Sequence, residues 1–439
     1  MNIGIVGTGY VGLITGCILS KYHSVTCCDN NREKIDKLNN KEIPIYENNL
    51  DEIFNKNFGK SLFFTDDIKE LIEKNDVIFI SVGTPPNEDG SADMKYVYEV
   101  ARSIGKNINS YKVIVDKSTV PIGTAKIVKS IIEEEMLNRK VWFEFDVVSN
   151  PEFLREGNAV ADMMNPDRIV IGSESKKAIE IMKDVYSFYD KCPLGIPIVI
   201  TNTESAEMIK YASNAFLATK ISYINELALL CEKVGANVID VAKGMGMDKR
   251  IGNRFLNAGC GYGGSCFPKD TRALAEIAKK NDCELLTVNA AITANQNQRK
   301  KSVEKIINVI GDLKDKTIGV LGLAFKPETD DCRESPSLYI IKELIKLGAK
   351  IKVYDPEGME EFKWRMADYL NDIHYCRCEY EALEECDFMI VLTEWKQFKD
   401  LNFAMIKDLL KEPIMFDLRN MFYNDVYIKN NFKYYGIGI

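Results

Sequence analysis

Short apolar runs alternate with helical segments over the first 200 residues of the chain. Six of these runs have the length and the β-branched content of strands, and they read NIGIVG, SVTCCD, VIFISVG, KVIVDKS, FDVVSN and RIVIG. Helical periodicity lies between them, for example over residues 122–137. Alternation of this kind predicts a parallel sheet with helices on both faces.

The pattern changes in the middle of the chain. Residues 203 to about 235 predict one long helix, and a second helical stretch covers roughly residues 285–309. From Lys316 the alternation resumes, with a helix over residues 335–347 and the strands KTIGVLGLAFK, KIKVYDP, FMIVLTEW and IMFDLRN. The sequence therefore predicts an α/β protein with two Rossmann-like doubly wound domains, joined by a helical spine with a long central helix. The predicted domain boundaries are 1–200, 201–312 and 313–439.

Charge and composition limit the kinds of partner. The net charge is −8 and there is no basic tract, so we expect neither nucleic acid nor an anionic membrane surface as a partner. No apolar stretch approaches the roughly 20 residues that span a bilayer, and no signal peptide is visible. Twelve cysteines in such a chain are most simply free thiols of a reducing compartment, so the expected location is the cytoplasm.

One group of cysteines has the composition of a metal site. His374, Cys376, Cys378 and Cys386 offer ligand atoms close together in the sequence. However, Cys376 and Cys378 lie on the alternating run IHYCRC, which predicts a strand, and their spacing differs from the C-x-x-C turn of zinc sites. We therefore predict no metal here, and interpret the cysteines as small hydrophobic side chains.

A glycine-rich loop, GTGYVG, follows the first predicted strand and opens a helix. Gly7 permits a tight turn, Gly9 lets the backbone approach a pyrophosphate, and Gly12 lets the helix pack closely on the sheet. The second strand ends at Asp29, about 20 residues on, where a carboxylate accepts hydrogen bonds from the ribose hydroxyls and repels a 2′-phosphate. This context predicts NAD rather than NADP.

The corresponding segment of the second half, GVLGLAFK, lacks the third glycine and carries Phe325 and Lys326 instead. A second dinucleotide site is therefore not expected. A strand-to-helix turn still offers backbone N–H groups to an anion, and Lys326 adds a positive charge. The sequence of the second half therefore predicts a site for the phosphates of a different nucleotide.

The most unusual segment is residues 255–270, FLNAGCGYGGSCFPKD. Four glycines between residues 259 and 264 give a loop whose backbone can close on a ligand. Cys266 then stands before a helix that begins near Pro268, and Lys269 comes shortly after it. A helix N-terminus and a neighbouring lysine both favour the thiolate form, so Cys266 is a candidate nucleophile.

Other candidate residues lie on the long helix and on two loops. Lys210 and Asn214 are four residues apart on one face of the helix, where they could hold an oxyanion, although such a pair taken alone is more often part of a solvated face. Thr119 and Glu152 follow predicted strands, at the edge of the sheet where doubly wound folds bind ligands. From the residues alone, the roles of Thr119 and Glu152 stay open.

The whole chain resembles the nucleotide-sugar 6-dehydrogenases, the UDP-glucose/GDP-mannose dehydrogenase family. The motifs that carry the resemblance are, in order, GTGYVG, SVGTPP, KSTVPIGT, NPEFLREG, AEMIKYASNAF, RIGNRFLNAGCGYGGSCFPKD, GLAFKPETDDCRES and FDLRN. The resemblance implies oxidation of a primary alcohol at the sugar's C6 to a carboxylate, with two NAD and no metal. It also implies that residues 1–200 bind NAD, that residues 201–312 carry the cysteine loop and the dimerisation surface, and that residues 313–439 bind the UDP-sugar.

The resemblance further implies a role for each catalytic candidate. Cys266 would attack the aldehyde, and the second oxidation would leave a thioester. Lys210 and Asn214 would stabilise the oxyanions, and Asp270 with Thr119 would position water and relay protons. Glu152 would assist hydrolysis of the thioester. The division of base duty among Lys210, Asp270 and water stays open.

The ligand-binding residues that the family pattern implies fall into two sets. For NAD they are Gly7, Gly9, Tyr10, Val11, Gly12, Asp29, Lys34, Thr84, Thr119, Glu152 and Arg333. For the sugar nucleotide, expected to be UDP-glucose, they are Glu152, Phe153, Leu154, Arg155, Lys210, Asn214, Arg250, Phe255, Gly263, Phe325, Lys326 and Arg419. In relatives the equivalent of Arg250 reaches across a subunit interface, so the resemblance implies a homodimer.

Three alternatives remain at this stage. The same chemistry could act on GDP-mannose or on a UDP-N-acetylhexosamine, although SCFPKD and RIGNRFL favour UDP-glucose. A two-electron β-hydroxyacid dehydrogenase would share the first domain and the Lys–Asn pair but would need neither Cys266 nor a second nucleotide-binding domain. A non-catalytic NAD-binding protein would not need the set of Cys, Lys, Asn and Asp.

Overall fold

The computed structural model describes residues 1–191 and 195–439. The described chain divides into two compact units. The first unit comprises residues 1–213 with 279–281, and the second comprises residues 214–278 and 282–439. The boundary falls within one long helix, so the two units share that element.

The first unit is built on an eight-stranded sheet with the strand order β3-β2-β1-β4-β5-β6-β7-β8. All neighbouring strands pair in parallel except β6 and β7, which are antiparallel. The strands are β1 (Asn2–Val6), β2 (Ser24–Cys28), β3 (Leu62–Thr65), β4 (Val77–Ile80), β5 (Lys112–Asp116), β6 (Phe145–Ser149), β7 (Ile169–Gly172) and β8 (Ile198–Thr201). The helices are α1 (Tyr10–Leu19), α2 (Arg32–Asn39), α3 (Leu50–Asn57), α4 (Ile68–Lys74), α5 (Lys95–Asn107), α6 (Thr124–Asn138), α7 (Ala159–Met164), α8 (Lys176–Val185) and the shared α9 (Thr203–Val234).

The second unit is built on a six-stranded parallel sheet with the order β11-β10-β9-β12-β13-β14. Its strands are β9 (Thr317–Leu321), β10 (Lys350–Tyr354), β11 (Ile373–Tyr375), β12 (Phe388–Val391), β13 (Ile414–Asp417) and β14 (Lys433–Tyr435). Its further helices are α10 (Val238–Gly246), α11 (Phe267–Lys280), α12 (Leu286–Ile310), α13 (Pro336–Lys346), α14 (Met359–Arg365), α15 (Glu379–Leu383), α16 (Phe403–Leu409) and α17 (Val426–Asn431). Short 3-10 helices cover Ser187–Lys191, Ala367–Tyr369 and Lys396–Asp400.

The predicted α/β class and the principal elements are confirmed. All six predicted strands of the first half form, and the long helices predicted from Thr203 and over residues 285–309 correspond to α9 and α12. Strands β3, β8 and β14 were not predicted. Each lies at an edge of its sheet and is only partly buried, so its apolar pattern is weaker than that of the central strands.

The two sheets bury their apolar side chains in separate cores. In the first unit, the two faces of the sheet carry one hydrophobic cluster each, around Ile5 and Phe79 on one side and around Ile78 and Ile114 on the other. In the second unit, the helical middle and the C-terminal sheet share a single cluster, in which Ile224 and Ile306 pack with the strand residues of the sheet. The division of the chain into three domains stays a prediction.

The length and polarity of the helices bear on membrane association. Among the described residues, no helix is both long enough and apolar enough to cross a bilayer.

Candidate active site

The glycine loop of the first unit has two glycines that the fold requires and one that it does not. Gly7 has a positive φ of 101°, and its N–H donates to the carbonyl oxygen of Cys28 at 2.7 Å. A Cβ on Gly12 would collide with the carbonyl oxygen of Gly7, whereas a Cβ on Gly9 would meet no protein atom within 4 Å. Gly9 precedes the first residue of α1, so the open space lies at a helix N-terminus, where a pyrophosphate fits.

Asp29 presents an oriented carboxylate at the end of β2. Its Oδ2 accepts hydrogen bonds from the backbone N–H and the hydroxyl of Thr8, both at 2.8 Å, and Lys34 Nζ lies 3.7 Å away. Burial by itself would raise the pKa of Asp29, but the hydrogen bonds from Thr8 and Asn31 and the charge of Lys34 hold it below its ordinary value. An ionised carboxylate in this place suits a ribose diol and opposes a 2′-phosphate.

Tyr10 and Val11 begin α1, and Tyr10 is tied to a residue that the sequence analysis missed. The Tyr10 hydroxyl bonds to the carboxylate of Glu47, which is buried. Glu47 also accepts from the backbone N–H of Gly157 at 2.8 Å and of Val160 at 3.2 Å. Glu47 therefore connects the dinucleotide loop to the NPEFLREG segment. Only the burial of its carboxylate distinguishes it from the exposed acids nearby, and the sequence does not show that burial.

Thr84 and Thr119 come together where β4 and β5 end. The Thr84 hydroxyl donates to the carbonyl oxygen of Thr119 at 2.9 Å. Thr84 is buried, and Thr119 is partly exposed. The two threonines thus lie on neighbouring loops at the carboxyl edge of the sheet, which is where doubly wound folds bind nucleotides.

Glu152 and Lys210 form a buried ion pair in the first unit. Lys210 Nζ lies 2.8 Å from Glu152 Oε1, and the other carboxylate oxygen accepts from the Leu154 N–H at 2.5 Å. Burial by itself would raise the pKa of Glu152, but Lys210, the Leu154 N–H and Lys117 hold it below its ordinary value. The Glu152 carboxylate is therefore ionised at neutral pH, and Lys210 is held by a charge-assisted hydrogen bond.

Phe153 and Arg155 follow Glu152 on the same loop and differ in their surroundings. Lys210 Nζ lies 5.4 Å from the centre of the Phe153 ring, and the Arg168 guanidinium stacks on that ring at 3.5 Å. Arg155 forms a bidentate ion pair with Asp162, in which Nε donates to Oδ2 at 2.9 Å and Nη2 donates to Oδ1 at 2.5 Å. A substrate that bound Arg155 would therefore compete with Asp162 for the guanidinium.

Cys266 lies in the second unit, at the residue that precedes α11. The Asp270 N–H donates to the Cys266 carbonyl oxygen at 2.8 Å, which makes Cys266 the N-cap residue of α11. Its thiol is partly exposed, and the Ser265 hydroxyl lies 3.5 Å from the Sγ. A thiol at this position is accessible to a substrate and benefits from the positive end of the helix dipole.

Asp270 is buried one turn into α11, and both of its carboxylate oxygens are in use. Asn214 Nδ2 donates to Oδ2 at 2.6 Å, and Lys269 Nζ lies 2.6 Å from Oδ1. Asn214 and Asp270 are thus brought together from α9 and α11, although the family pattern implies a different role for each. The contact fixes the Asn214 amide so that its remaining polar groups keep one orientation.

The glycine loop at residues 259–264 is buried and tightly held within the second unit. Gly259 N–H donates to Asn225 Oδ1 at 2.8 Å, and Tyr262 exchanges two hydrogen bonds with the side chain of Asn295. A Cβ on Gly263 would lie 2.5 Å from the Glu334 carbonyl oxygen. These glycines therefore serve close backbone packing, and the loop is a fixed element of the unit.

The polar residues of α12 that hold this loop were missed by the sequence analysis. Besides Asn295, Gln298 donates to the Gly259 carbonyl oxygen at 2.7 Å, and Arg299 donates to the Tyr262 carbonyl oxygen at 2.9 Å. All three belong to the run ANQNQRKK. The sequence does give a signal for these residues, because a run of amide side chains is unusual in a helix that is predicted to pack within a helical spine.

The other predicted ligand residues of the second unit lie in different surroundings. Arg419 donates to the carbonyl oxygens of Leu392 and Phe325 at 2.8 and 3.0 Å, and Lys326 Nζ lies 5.5 Å from the Phe325 ring. Phe255 has a positive φ of 63°, and its ring lies 6.0 Å from that of Phe267. Arg333 pairs with Asp331 at 2.8 Å, and the highly exposed Arg250 pairs with Asp248 at 2.6 Å.

The run IHYCRC forms less strand than predicted. Strand β11 ends at Tyr375, so Cys376 and Cys378 lie beyond it, and Cys378 is the N-cap residue of the short helix α15. The ligand atoms of His374, Cys376 and Glu381 lie within 4.8 Å of one another. Burial raises the pKa of the Cys376 thiol to about 11, which disfavours the thiolate that a metal requires. The absence of a metal site stays a prediction.

Three family models match the chain in succession. Residues 1–190 match the NAD binding domain of the UDP-glucose/GDP-mannose dehydrogenase family, and residues 204–297 match its central domain. Residues 319–424 match the UDP binding domain of the same family. The dinucleotide site therefore belongs to the first unit, in agreement with the geometry of Gly9 and Asp29.

Curated relatives and solved structures are similar over the full length. The chain is 47% identical over 439 residues to the UDP-glucose 6-dehydrogenase TuaD of Bacillus subtilis, covering 100% of this chain and 93% of that protein. It is 45% identical to the UDP-glucose 6-dehydrogenase of Rhizobium meliloti, covering 100% and 99%. The structure of a UDP-glucose dehydrogenase from Pyrobaculum islandicum superposes with a TM-score of 0.90 at 34% identity, covering 100% and 97%. This chain therefore belongs to the UDP-glucose/GDP-mannose dehydrogenase family.

Proposed function

We propose that the protein oxidises the C6 alcohol of UDP-glucose to the carboxylate of UDP-glucuronate, with two NAD+ and a covalent intermediate on Cys266. The observation that carries this proposal is the partly exposed Cys266 at the N-cap of α11, with Asp270 one turn later, held by Asn214. The full-length similarity to proteins named UDP-glucose 6-dehydrogenase supports the choice of substrate.

The chemistry of Cys266 is dictated by the needs of a four-electron oxidation. NAD+ is the hydride acceptor in both oxidations. The first oxidation converts the alcohol to an aldehyde and releases one proton. The Cys266 sulfur then adds to the aldehyde carbon, which keeps the aldehyde bound as a thiohemiacetal that can lose a second hydride. The resulting thioester is cleaved by water, which returns the thiol and yields the carboxylate.

The remaining catalytic residues have roles suited to their surroundings. Lys210 and Asn214 stabilise the negative charge that develops on the substrate oxygen in each step, because each is a hydrogen-bond donor held in place by a buried carboxylate. Asp270, with Thr119, positions water and relays protons. Glu152 is kept ionised by its surroundings, so it can accept a proton from the water that hydrolyses the thioester.

Each unit contributes one nucleotide-binding surface in this proposal. The first unit binds NAD+ through Gly9, Asp29 and the neighbouring loops, and the residues present fit that cofactor. The second unit binds the UDP moiety, with Lys326 and Arg419 contributing positive charge toward its phosphates. The cytoplasm is the proposed location, because Cys266 must stay a reduced thiol to act as a nucleophile.

The test of the covalent mechanism is stoichiometric. We expect two NADH per UDP-glucose consumed and no free aldehyde, measured by absorbance and by trapping with a carbonyl reagent. Cys266→Ala should form no UDP-glucuronate, whereas Cys283→Ala, which removes an exposed thiol beyond the end of α11, should retain wild-type activity. A yield of one NADH, or acid formation by Cys266→Ala at the wild-type rate, would refute the mechanism.

A panel of substrates tests the choice of sugar. UDP-glucose, GDP-mannose and a UDP-N-acetylhexosamine are compared by kcat/KM at the same enzyme concentration. We expect UDP-glucose to exceed the other two by at least a hundredfold. A β-hydroxy acid that is oxidised while all three sugar nucleotides are inert would favour the two-electron alternative.

We also propose a homodimer, in which the exposed face of α9 is buried. Phe216, Tyr223 and Leu230 are spaced by seven residues, which places them on one face of the helix, and they are 67%, 49% and 53% exposed. Large apolar side chains in such a row favour a protein partner over water. Tyr223→Glu with Leu230→Glu should give a monomer in light scattering, whereas Leu137→Glu, a similarly exposed position on α6, should not. An unchanged mass for the double variant would exclude this face.

A further inference from the structure

A second buried lysine interacts with the Glu152–Lys210 ion pair, and the proposed mechanism gives it no role. Lys117 is the first residue after β5, and its side chain is buried. Its Nζ donates to Asn150 Oδ1 at 3.0 Å and lies 3.4 Å from the Tyr186 hydroxyl. A buried cation is expensive to desolvate, so a lysine held in this way calls for a physical explanation.

The contacts of Lys117 fix the residue that begins the Glu152 loop. The Asn150 side chain accepts from both Lys117 and the Tyr186 hydroxyl, the latter at 2.5 Å, and donates to the Val170 carbonyl oxygen at 2.7 Å. The Asn150 N–H donates to the Asp116 carbonyl oxygen at 2.9 Å. The ends of β5 and β6 and the strand β7 are thus joined through one amide, two residues before Glu152.

The charge of Lys117 also acts on the ion pair itself. Burial would raise the pKa of Glu152, and Lys117 is one of the groups that counteract this, after Lys210 and the Leu154 N–H. Burial lowers the pKa of Lys117 to about 8, with Glu152 opposing the change and Lys210 adding to it. Tyr186, which also contacts Lys117, stays neutral because burial raises the pKa of its phenol. Lys117 is therefore a second cation near Glu152 at neutral pH.

We propose that Lys117 is a positioning residue for the reaction. Its buried ammonium orients Asn150, and with it the loop that carries Glu152, and adds a second positive charge to the Glu152–Lys210 ion pair. Glu152 consequently stays ionised and keeps one geometry while the thioester is hydrolysed. The inference rests on the role of Glu152 in the proposed function.

The test replaces Lys117 by two neutral residues, Lys117→Met and Lys117→Gln, the second of which retains a hydrogen-bond donor for Asn150. We expect kcat to fall at least tenfold, with KM for NAD+ and for UDP-glucose changed by less than threefold. The acid limb of the kcat profile should move to higher pH, because Glu152 takes up a proton more readily without the nearby cation.

The chain offers a matched control for burial and residue type. Lys112 is a buried lysine at the opposite end of β5, and its Nζ donates to the Asn75 carbonyl oxygen at 2.7 Å. Lys112→Met should lose stability much as the Lys117 variants do but retain the wild-type kcat and pH profile. If both Lys117 variants match Lys112→Met in kcat and in the acid limb, Lys117 is only structural and the inference is overturned.

A separate variant distinguishes failure of this inference from failure of the proposed function. Glu152→Gln should lose the acid limb together with most of the turnover. If Glu152→Gln is inactive while the Lys117 variants behave as wild type, the inference fails and the role of Glu152 stands. If Glu152→Gln turns over at the wild-type rate, the proposed role of Glu152 is itself wrong.

Discussion

The turn that follows β1 in the first unit and the turn that follows β9 in the second unit are built in the same way. Gly7 N–H donates to the Cys28 carbonyl oxygen at 2.7 Å, and Gly322 N–H donates to the Tyr354 carbonyl oxygen at 2.9 Å. The next N–H in each turn reaches the aspartate that comes directly after the second strand, at 2.8 Å for Asp29 and 2.6 Å for Asp355. The sheets also have equivalent strand orders around these turns.

The two turns differ in the length of chain before the next helix and in how their aspartates are used. Helix α1 begins directly after Gly9, whereas α13 begins only at Pro336, after a long loop. Asp355 accepts four further hydrogen bonds, from the N–H groups of Ala324, Glu357, Gly358 and the Trp395 indole. Asp29 keeps a partly exposed carboxylate. The same local pattern therefore serves a cofactor in one unit and the fold itself in the other.

A second pair of aspartates, at the ends of β5 and β13, shows the reverse contrast. Asp417 accepts from the Phe422 N–H and the Tyr434 hydroxyl, both at 2.8 Å. Among the described residues, neither carboxylate oxygen of the buried Asp116 has a hydrogen-bond partner. Burial and the charge of Glu207 raise the pKa of Asp116 to about 8. In this pair the carboxylate without hydrogen-bond donors lies in the first unit, whereas the carboxylate of the second unit is hydrogen-bonded, and these bonds oppose the burial that raises its pKa.

The largest expected effect is on stability, and it distinguishes Asp355 from Asp29. Asp355→Ala leaves five donors without their acceptor, and we expect the free energy of unfolding to fall by about 4 kcal/mol or more. Asp29→Ser should lose only about 1 kcal/mol but raise kcat/KM with NADP, because the repulsion of the 2′-phosphate is removed. Urea unfolding and steady-state kinetics with both cofactors measure the two quantities. Equal stability losses, or equal use of both cofactors by the wild type, would contradict the assignment.

The glycines of the two turns give the next largest difference. In Gly322→Ala the new Cβ would lie 2.5 Å from the Thr393 backbone, on a residue with a positive φ, so we expect a loss of about 3 kcal/mol in stability. In Gly9→Ala the Cβ meets no protein atom, and the loss should stay within about 1 kcal/mol, as for an N-cap change.

The ligand distinguishes the two glycine variants further. Gly9→Ala should weaken NAD+ binding at least tenfold in calorimetry, because the Cβ occupies space that the pyrophosphate needs. Gly322→Ala should leave NAD+ affinity unchanged at temperatures where the protein is folded. Wild-type NAD+ affinity in Gly9→Ala would show that the cofactor does not approach this turn.

The smallest expected effect is a difference between Asp116 and Asp417 in how strongly stability depends on pH. In the folded protein Asp116 keeps its proton up to a pH of about 8, while in the unfolded chain it ionises near its ordinary value. The unfolded state is therefore favoured progressively as the pH rises from about 4 to about 8, and the stability falls over that window. Asp116→Asn does not titrate, so at pH 8 we expect it to be more stable than the wild type by on the order of 2 kcal/mol.

The same measurement at two pH values gives the control. At pH 4 the Asp116→Asn and wild-type proteins should differ little, since this pH lies close to the ordinary pKa of an aspartate and ionisation of the unfolded chain contributes little free energy there. Burial also raises the pKa of Asp417, but the hydrogen bonds from the Phe422 N–H and the Tyr434 hydroxyl oppose that change, so we expect Asp417→Asn to gain less stability at pH 8 than Asp116→Asn does. Chemical unfolding at both pH values decides the matter, and a loss of stability in Asp116→Asn at pH 8 would refute the argument.

Local sequence patterns predict those parts of this protein whose structure depends on residues close together along the chain. Four features were predicted in this way: the strand β1, the glycine turn, the acid at the end of β2 and the cysteine before α11. Periodicity, turn geometry and helix caps are local properties, which is why the sequence shows them. The long helices α9 and α12 were predicted for the same reason. The edge strands β3 and β14 were missed, since each is partly exposed and pairs with a single neighbouring strand, which the local sequence does not show.

The pairing of the buried charges, in contrast, depends on the tertiary fold. Asn214 and Asp270 are 56 residues apart, and Lys210 and Glu152 are 58 apart, so no local pattern links them. Lys117 and Asn150 begin the motifs KSTVPIGT and NPEFLREG, but neither these motifs nor the sequence around Glu47 shows the burial of the three side chains. An acid, a lysine or an amide becomes a fixed structural group only when the fold removes it from water. The same desolvation raises the pKa of both Asp116 and Asp417, at equivalent strand ends, but hydrogen-bond donors from the surrounding chain oppose it only at Asp417 among the described residues.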